Sequence, residues 1–332
     1  MNSSPSREAV ASRLSLNPNA LPAQLTDNVW LVDLVSRLTD RPVEEVRRRL
    51  LAEERQLGAN VNADMRRLGI RPHCWSDELL TFYQRTDAFL YELIAWNRNA
   101  NKVAIRQWIN DALARLPRFS LDVLTCGDGI GCDSLYLAQA GHRVTYCDLG
   151  ELGKRFAQAL FDAAGLPFAP TDDLSALPAE SFDAIVCLDV LEHVPDPPRL
   201  VEQLARCLKP GGLLIVSAPF FAVGSEFPTH LASNRRYSGS LRGLYGSHGL
   251  RLVDGRPFLD PVVLSKSPIV YASGAGGLRR RAEVRAGALL LRLARWWSWP
   301  HRRIGRMLQL RGYRHRTEGL RPTEVGAASV EA

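Results

Sequence analysis

Several absences narrow this chain before any motif is read. Its six cysteines (Cys74, Cys126, Cys132, Cys147, Cys187 and Cys207) form no CxxC pair. That argues against a thiolate metal site or a disulfide scaffold, and for buried, reduced thiols. No run of roughly 18 consecutive apolar residues occurs, so no transmembrane helix is expected. Residues 1–25 are polar and carry Pro5, Pro18 and Pro22, which reads as a flexible leader without a secretory signal. A cytoplasmic location follows as an expectation, with peripheral contact to a membrane left open by the far end of the chain. There is no GxGxxG, no Tyr-x-x-x-Lys pair and no internal repeat. The seven histidines are dispersed, so no metal is expected.

What remains suits a globular chain. With 332 residues, 46% of them apolar, one large domain with extensions or two domains can be built around a sizeable core. The net charge of +7 is uneven. Between Gly274 and Arg321 there are thirteen Arg and no Lys against Glu283 and Glu318, a local net of +11 that leaves about −4 for the rest. The basicity therefore belongs to a tail, and gives little support for nucleic-acid binding by the core.

The chain is organised around Leu121–Gly150, LDVLTCGDGIGCDSLYLAQAGHRVTYCDLG. Its pattern is a strand, a glycine turn with Gly127, Gly129 and Gly131 at spacing two, a helix from Ser134 to Ala140, and a strand ending at Asp148. Glycines let a backbone approach a ligand, and the following helix presents free N–H groups. Asp148 lies 21 residues beyond Gly127, a separation that suits a carboxylate accepting hydrogen bonds from ribose hydroxyls. Asp128, inside the turn, opposes a pyrophosphate and suits a ligand with a cationic tail.

Upstream, 26–116 reads as a helical cap region. Asp27 caps a first helix, Pro42 opens a second, and Glu44, Glu45, Arg47, Arg48 and Arg49 form that helix's solvated face. Tyr83, Tyr91 and Trp96 are placed to lid a pocket. Downstream, a helix covers Leu152–Ala164, Pro167–Pro178 is loop, and SFDAIVCL (Ser181–Leu188) is a buried strand closed by Asp189. A short helix with Val190, Leu191 and Glu192 follows, then a helix over Arg199–Leu208, a turn at Lys209–Gly212 and a strand at Leu213–Ala218. Ser240–His248 reads as a helix, and Arg251–Val253 and Pro261–Leu264 as final strands. Continuous apolar strands alternating with helices predict an α/β, doubly wound, Rossmann-like and mostly parallel sheet. Domains are expected at 117–272 for the nucleoside-binding unit and 273–332 for a basic helical C-terminal tail.

Four stretches resemble the motifs of the class I S-adenosylmethionine-dependent methyltransferases, in the small-molecule branch called type 11. They are VLTCGDGIG, YCDL, TDDLSALPAESFDAIVCLDVLEHV and LARCLKPGGLLIVSAP, in order and at matching spacing. The resemblance covers roughly Leu121–Leu264. It implies S-adenosyl-L-methionine as cofactor, held by Gly127, Asp128, Gly129, Gly131, Asp148, Leu149, Asp173, Leu174 and Asp189. It also implies that Asp173 meets the adenine amino group and that Leu174 offers a backbone N–H. The acid usual at the third position of the first motif is Thr125 here, and Asp128 or Asp133 would have to replace it.

Methyl transfer needs an acceptor held in line with water excluded, and a base where the acceptor is a hydroxyl. His230, in the loop after the fifth strand, and His193, in LEHV, are the candidate catalytic residues. Glu226, Arg235, Arg236 and Tyr237 share the His230 loop. The expected acceptor is a small molecule or a lipid-linked intermediate. The rival readings are a degenerate, membrane-associated adaptor and a nicotinamide-dependent oxidoreductase. Residues 279–316 interleave Arg with Leu289, Leu290, Leu293, Trp296 and Trp297. This pattern reads as peripheral membrane contact or a pocket lid ahead of nucleic acid.

Overall fold

The computed structural model describes residues 21–116, 118–255, 261–266, 277–294 and 296–299, with Arg303 and Leu320 beyond them. The leader up to residue 20 and much of the tail lie outside the described residues.

The cap region forms six helices: α1 (Asn28–Thr39), α2 (Val43–Arg55), α3 (Ala59–Arg67), α4 (Asp77–Arg85), α5 (Ala88–Asn97) and α6 (Ala100–Leu113). Asp27 caps α1 as expected, accepting from the Val29 and Trp30 N–H groups at 2.9 and 3.1 Å. One expectation for α2 fails. Arg49 is not on a solvated face but buried, reaching Asp64 at 3.1 Å and Asp87 at 3.3 Å. Because α2 packs against α1, α3 and α5, little of its circumference is left for water, and a long cation stays inside only with carboxylates around it.

The sheet contains β1 (Asp122–Cys126), β2 (Arg143–Cys147), β3 (Pro170–Thr171), β4 (Phe182–Leu188), β5 (Leu208–Ser217), β6 (Arg251–Gly255) and β7 (Val262–Ser265). Its order is β3-β2-β1-β4-β5-β7-β6. The first five strands run parallel, and β7 is antiparallel to both β5 and β6. Three helices connect them: α7 (Cys132–Gln139), α8 (Glu151–Ala164) and α9 (Pro197–Cys207). One face of the sheet buries Ile185 and Val216 against Val201 and Leu204 of α9. The other buries Val123 and Ile215 against Ile105 and Ile109 of α6. All seven residues of β4 are buried, the burial expected of a central parallel strand.

Local readings are corrected in four places. Pro170–Thr171 pairs with β2 inside the stretch read as loop. Val190–Glu192 is a turn, not a helix. The Lys209–Gly212 turn is part of β5, which begins at Leu208 and crosses a register irregularity beside β4. The helix read over Ser240–His248 is a single wide turn (Leu241–Tyr245) followed by a 3-10 turn. A further helix, α10 (Gly277–Ala294), packs on β6. No helix among the described residues is long and apolar enough to cross a membrane.

Candidate active site

A cleft of about 1070 Å³ opens beyond the carboxyl ends of β1, β2, β4 and β5, where a doubly wound sheet reverses its strand order. Its floor is the glycine turn, its roof is α4 and α5, and its far wall is the loop after β5. That loop is held to the cap by two backbone bonds, His73 N–H to Pro228 O at 2.8 Å and Ala232 N–H to His73 O at 3.0 Å.

Within the turn the glycines face different neighbours. Gly129 has φ 58°, and a Cβ there would stand 2.4 Å from Leu93 Cδ1 of α5. Gly131 has φ 78°, and its Cβ would meet Ala157 Cβ of α8 at 2.5 Å. Gly127 and Gly129 line the cleft, whereas Gly131 serves helix packing. The Tyr146 hydroxyl donates to the Gly129 carbonyl at 2.5 Å and fixes the turn from below.

Asp148 closes β2 at the cleft. One carboxylate oxygen accepts from Gly129 N–H and the other from Gly150 N–H, both at 2.8 Å. Burial raises its pKa, and these backbone donors oppose the rise. Each oxygen keeps further acceptor capacity for a ligand hydroxyl. Leu149 is exposed in the cleft, and Leu174 lines it too. Asp173, at the rim, accepts from Ser175 N–H at 2.8 Å and Ser175 Oγ at 2.6 Å, and these bonds lower its pKa. Asp189 follows β4 with φ 57°, a left-handed conformation that a non-glycine residue adopts at a cost. It is held there by its own N–H on Ser217 O at 2.9 Å, by Ser217 Oγ donating to its carboxylate at 2.8 Å, and by a bond from Trp96. Burial raises its pKa and the Lys102 charge opposes this.

Asp128 does not face the cleft. Its carboxylate turns under the start of α7, accepting from Asp133 N–H, Ser134 N–H and Ser134 Oγ at 3.1, 2.7 and 2.5 Å. Burial and the neighbouring Asp133 push it up to about 7. Thus the electrostatic role expected of it toward a ligand is replaced by helix capping. Asp133 is no free acid either. Burial opposes its charge, yet Lys102 Nζ and Arg106 Nε, each at 2.8 Å, hold it down to about 2. Thr125 is turned inward onto Ser134 Oγ at 2.7 Å. Among the carboxylates lining the cleft, Asp189 follows β4 and Glu92 comes from the cap. Burial and the Glu53 charge push Glu92 up to about 8. Sequence reading missed Glu92, although an acid inside the apolar run AFLYELIAWN was the available signal.

The two histidine candidates meet. Their ring centroids are 4.6 Å apart and nearly perpendicular, and both line the cleft. His193 Nδ1 lies 2.9 Å from Tyr83 Oη and 3.2 Å from the Thr229 carbonyl. A proton on Nδ1 satisfies that carbonyl and leaves Nε2 as an acceptor, 3.9 Å from Glu192 Oε1. Burial lowers His193 to about 4 and puts His230 well below its ordinary value, the latter also through its neighbour His193. Both rings are therefore neutral at pH 7.

Glu192, His193 and His230 each offer a ligand atom, and these atoms lie within 4.8 Å of one another. Sequence spacing gave no metal constellation because His230 arrives 37 residues after His193, from the loop beyond β5. The fold assembles a three-residue donor set able to hold a proton or a cation. Trp96 and Tyr83 line the cleft as expected of lid residues, while Tyr91 is buried away from it. Glu226 lines the cleft, whereas Arg235, Arg236 and Tyr237 do not.

Residues 124–216 match the family model described as a methyltransferase domain. Among curated relatives, the ubiquinone biosynthesis O-methyltransferase of Paracidovorax citrulli is 42% identical over 116 residues, covering 33% of this chain and 47% of the relative. The protein of the same name from Stutzerimonas stutzeri is 30% identical over 136 residues, 37% of this chain and 57% of the relative. The chain thus spans about half the length of the curated relatives it matches. A solved S-adenosylmethionine-dependent methyltransferase from Aquifex aeolicus aligns over 47% of this chain and 86% of its own, at 17% identity and TM-score 0.38.

Proposed function

We propose that this chain, a member of the class I S-adenosylmethionine-dependent methyltransferases, methylates a hydroxyl on a small-molecule or lipid-linked acceptor. The observation that carries the reading is the pairing of two groups across one cleft: a ribose-competent carboxylate, Asp148, on the floor and two neutral histidines on the wall. The residues fit the cofactor at its nucleoside end. Asp148 offers acceptors to ribose hydroxyls, Asp173 stands at the rim for the adenine amino group, and Leu149 gives an apolar edge for the base. Asp189, already ordered by Ser217 and Trp96, is the carboxylate nearest in role to the missing acid at Thr125. Bound there, S-adenosylmethionine supplies a methyl group activated by its sulfonium.

The chain's own contribution is orientation and proton removal. The cleft volume lies just above the range of ordinary ligand pockets, about 300–1,000 Å³, so it has room for a nucleoside and an acceptor together. The apolar walls from Phe89, Leu93 and Phe227 exclude water and hold a hydrophobic acceptor. His193 Nε2 takes the acceptor's hydroxyl proton. Glu192, beside it, stabilises the imidazolium as it forms, and Thr229 fixes the tautomer. The curated relatives are named for O-methylation, which supports the choice of oxygen.

Calorimetry with S-adenosylhomocysteine, followed by labelled-methyl transfer to hydroxylated aromatic acceptors, tests this. Binding of the product cofactor and label incorporation are expected. Binding of NAD(H) without S-adenosylhomocysteine would overturn the reading.

A further inference from the structure

The helix α10 carries two apolar faces, and only one is used. Gly287, Leu291 and Ala294 are buried, a spacing of four and three that places them on one side of the helix. Ser238 Oγ donates to Leu291 O at 2.8 Å, and the backbone at Arg292 packs so close to Gly239 that a Cβ there would lie 2.5 Å away. Leu291 also reaches the cleft. Offset from that side by two residues, about 200° around a helix, are Leu289 and Leu293, 58% and 53% exposed. The chain continues into Trp296, Trp297 and Trp299, 79%, 67% and 57% exposed. Arg303 stacks over Trp299 at 5.3 Å.

We propose that this face, Leu289, Leu293 and the three tryptophans, seats the protein on an anionic lipid surface. Exposed apolar side chains are ordinary when scattered singly, but here five fall within eleven residues of chain, a density that points to an interaction surface. The segment Gly274–Arg321 holds thirteen Arg against two Glu, which fixes the sign of the partner. A two-fold dimer through this patch would set like charge against like charge, since such an interface meets its own copy. Nucleic acid would use the indoles for stacking but leave the leucines without a role. Anionic lipid uses all three features: indoles at the headgroup level, leucines at the acyl boundary, arginines against phosphate. Because the opposite side of α10 reaches the cleft through Leu291, seating brings the cleft close to the bilayer. The seating itself does not depend on the chemistry assigned to that cleft.

The test is co-sedimentation of the full chain with phosphatidylcholine vesicles, with and without phosphatidylglycerol. The wild-type chain is expected to sediment with the anionic vesicles, less so as salt shortens the Debye length from about 10 Å at 0.1 M. A Trp296→Ser/Trp297→Ser variant with an unchanged thermal melt is expected to bind roughly tenfold more weakly, through lost interfacial burial of the indoles. Its tryptophan emission should also lose the blue shift that vesicles induce in the wild type. Absent sedimentation, or equal sedimentation of the variant, would overturn the proposal. So would a gel-filtration dimer that only the variant abolishes, or competition-resistant retention on nucleic acid.

Discussion

Replacing Asp148 by alanine removes a carboxylate that does two jobs at once. In the free protein its oxygens satisfy the Gly129 and Gly150 N–H groups at 2.8 Å each. In the function proposed above it would also accept hydrogen bonds from the ribose hydroxyls of the cofactor. A hydrogen bond to a charged group contributes about 1.5–3 kcal/mol. The same oxygens already serve two backbone donors, so the ribose pair together is assigned about one such bond, not two. The expected loss in affinity for S-adenosylhomocysteine is therefore about 10- to 150-fold, at 1.4 kcal/mol per tenfold. Asp148→Asn should fall between, since the amide keeps one acceptor but turns its donors toward a backbone N–H. Isothermal titration reads both variants, and urea unfolding run beside it separates binding from stability. The alanine variant should also lose about 1–3 kcal/mol of stability from the unpaired N–H groups, at the lower end because water reaches the turn through the cleft. A folded Asp148→Ala protein with wild-type affinity would refute the assignment of the cleft floor to the ribose.

Further expectations concern the proton, the cap and its buried charges. His193→Gln should lower the methyl-transfer rate by about 10²-fold or more while leaving S-adenosylhomocysteine binding intact, read by single-turnover labelling beside calorimetry. Glu92, pushed up to about 8, holds a proton in the folded chain that it gives up on unfolding in neutral solution. Its stabilising contribution is thus fully present below the ordinary carboxylate range and is lost as pH rises through about 8. Glu92→Gln should flatten the dependence of melting temperature on pH across that window, and an unchanged slope would clear Glu92 of this role. Arg106→Met leaves the buried Asp133 with Lys102 alone and takes the donor from the Asn97 amide oxygen. A loss of about 3–5 kcal/mol in urea unfolding is expected.

The sheet and the placing of Asp148 at the cleft were legible because they are written locally. Apolar strands with turn residues between them predict a parallel sheet whatever their neighbours are, and an acid at a strand end after a glycine turn predicts its own position. The parts that were misread depend on groups far apart in the chain. Asp128 reads as ligand-facing from its place among glycines, but the donors that claim it belong to Asp133 and Ser134 at the helix start. Arg49 reads as solvated from its charged neighbours, but its partners Asp64 and Asp87 lie 15 and 38 residues away. The Glu192–His193–His230 cluster exists only after the loop beyond β5 folds back over the LEHV turn, a closure drawn tight by Leu231 N–H on Glu192 O at 2.9 Å and by Asn234 on three carbonyls of that turn.

Three contacts tie the cap to the elements that build the floor of the cleft. Leu93 packs against the space a side chain at Gly129 would fill, Trp96 bonds Asp189, and Lys102 and Arg106 neutralise Asp133 at the start of α7. All four cap residues lie on α5 and α6, so these helices cannot shift without disturbing the glycine turn, the post-β4 carboxylate or the capped helix. A cap that only covered the pocket would make its contacts at the rim; this one reaches the floor. On the proposed function, acceptor fit and cofactor fit are coupled through these two helices. Trp96 also meets Asp189, so the carboxylate that the proposed reading sets in place of an acid at Thr125 is positioned from the cap.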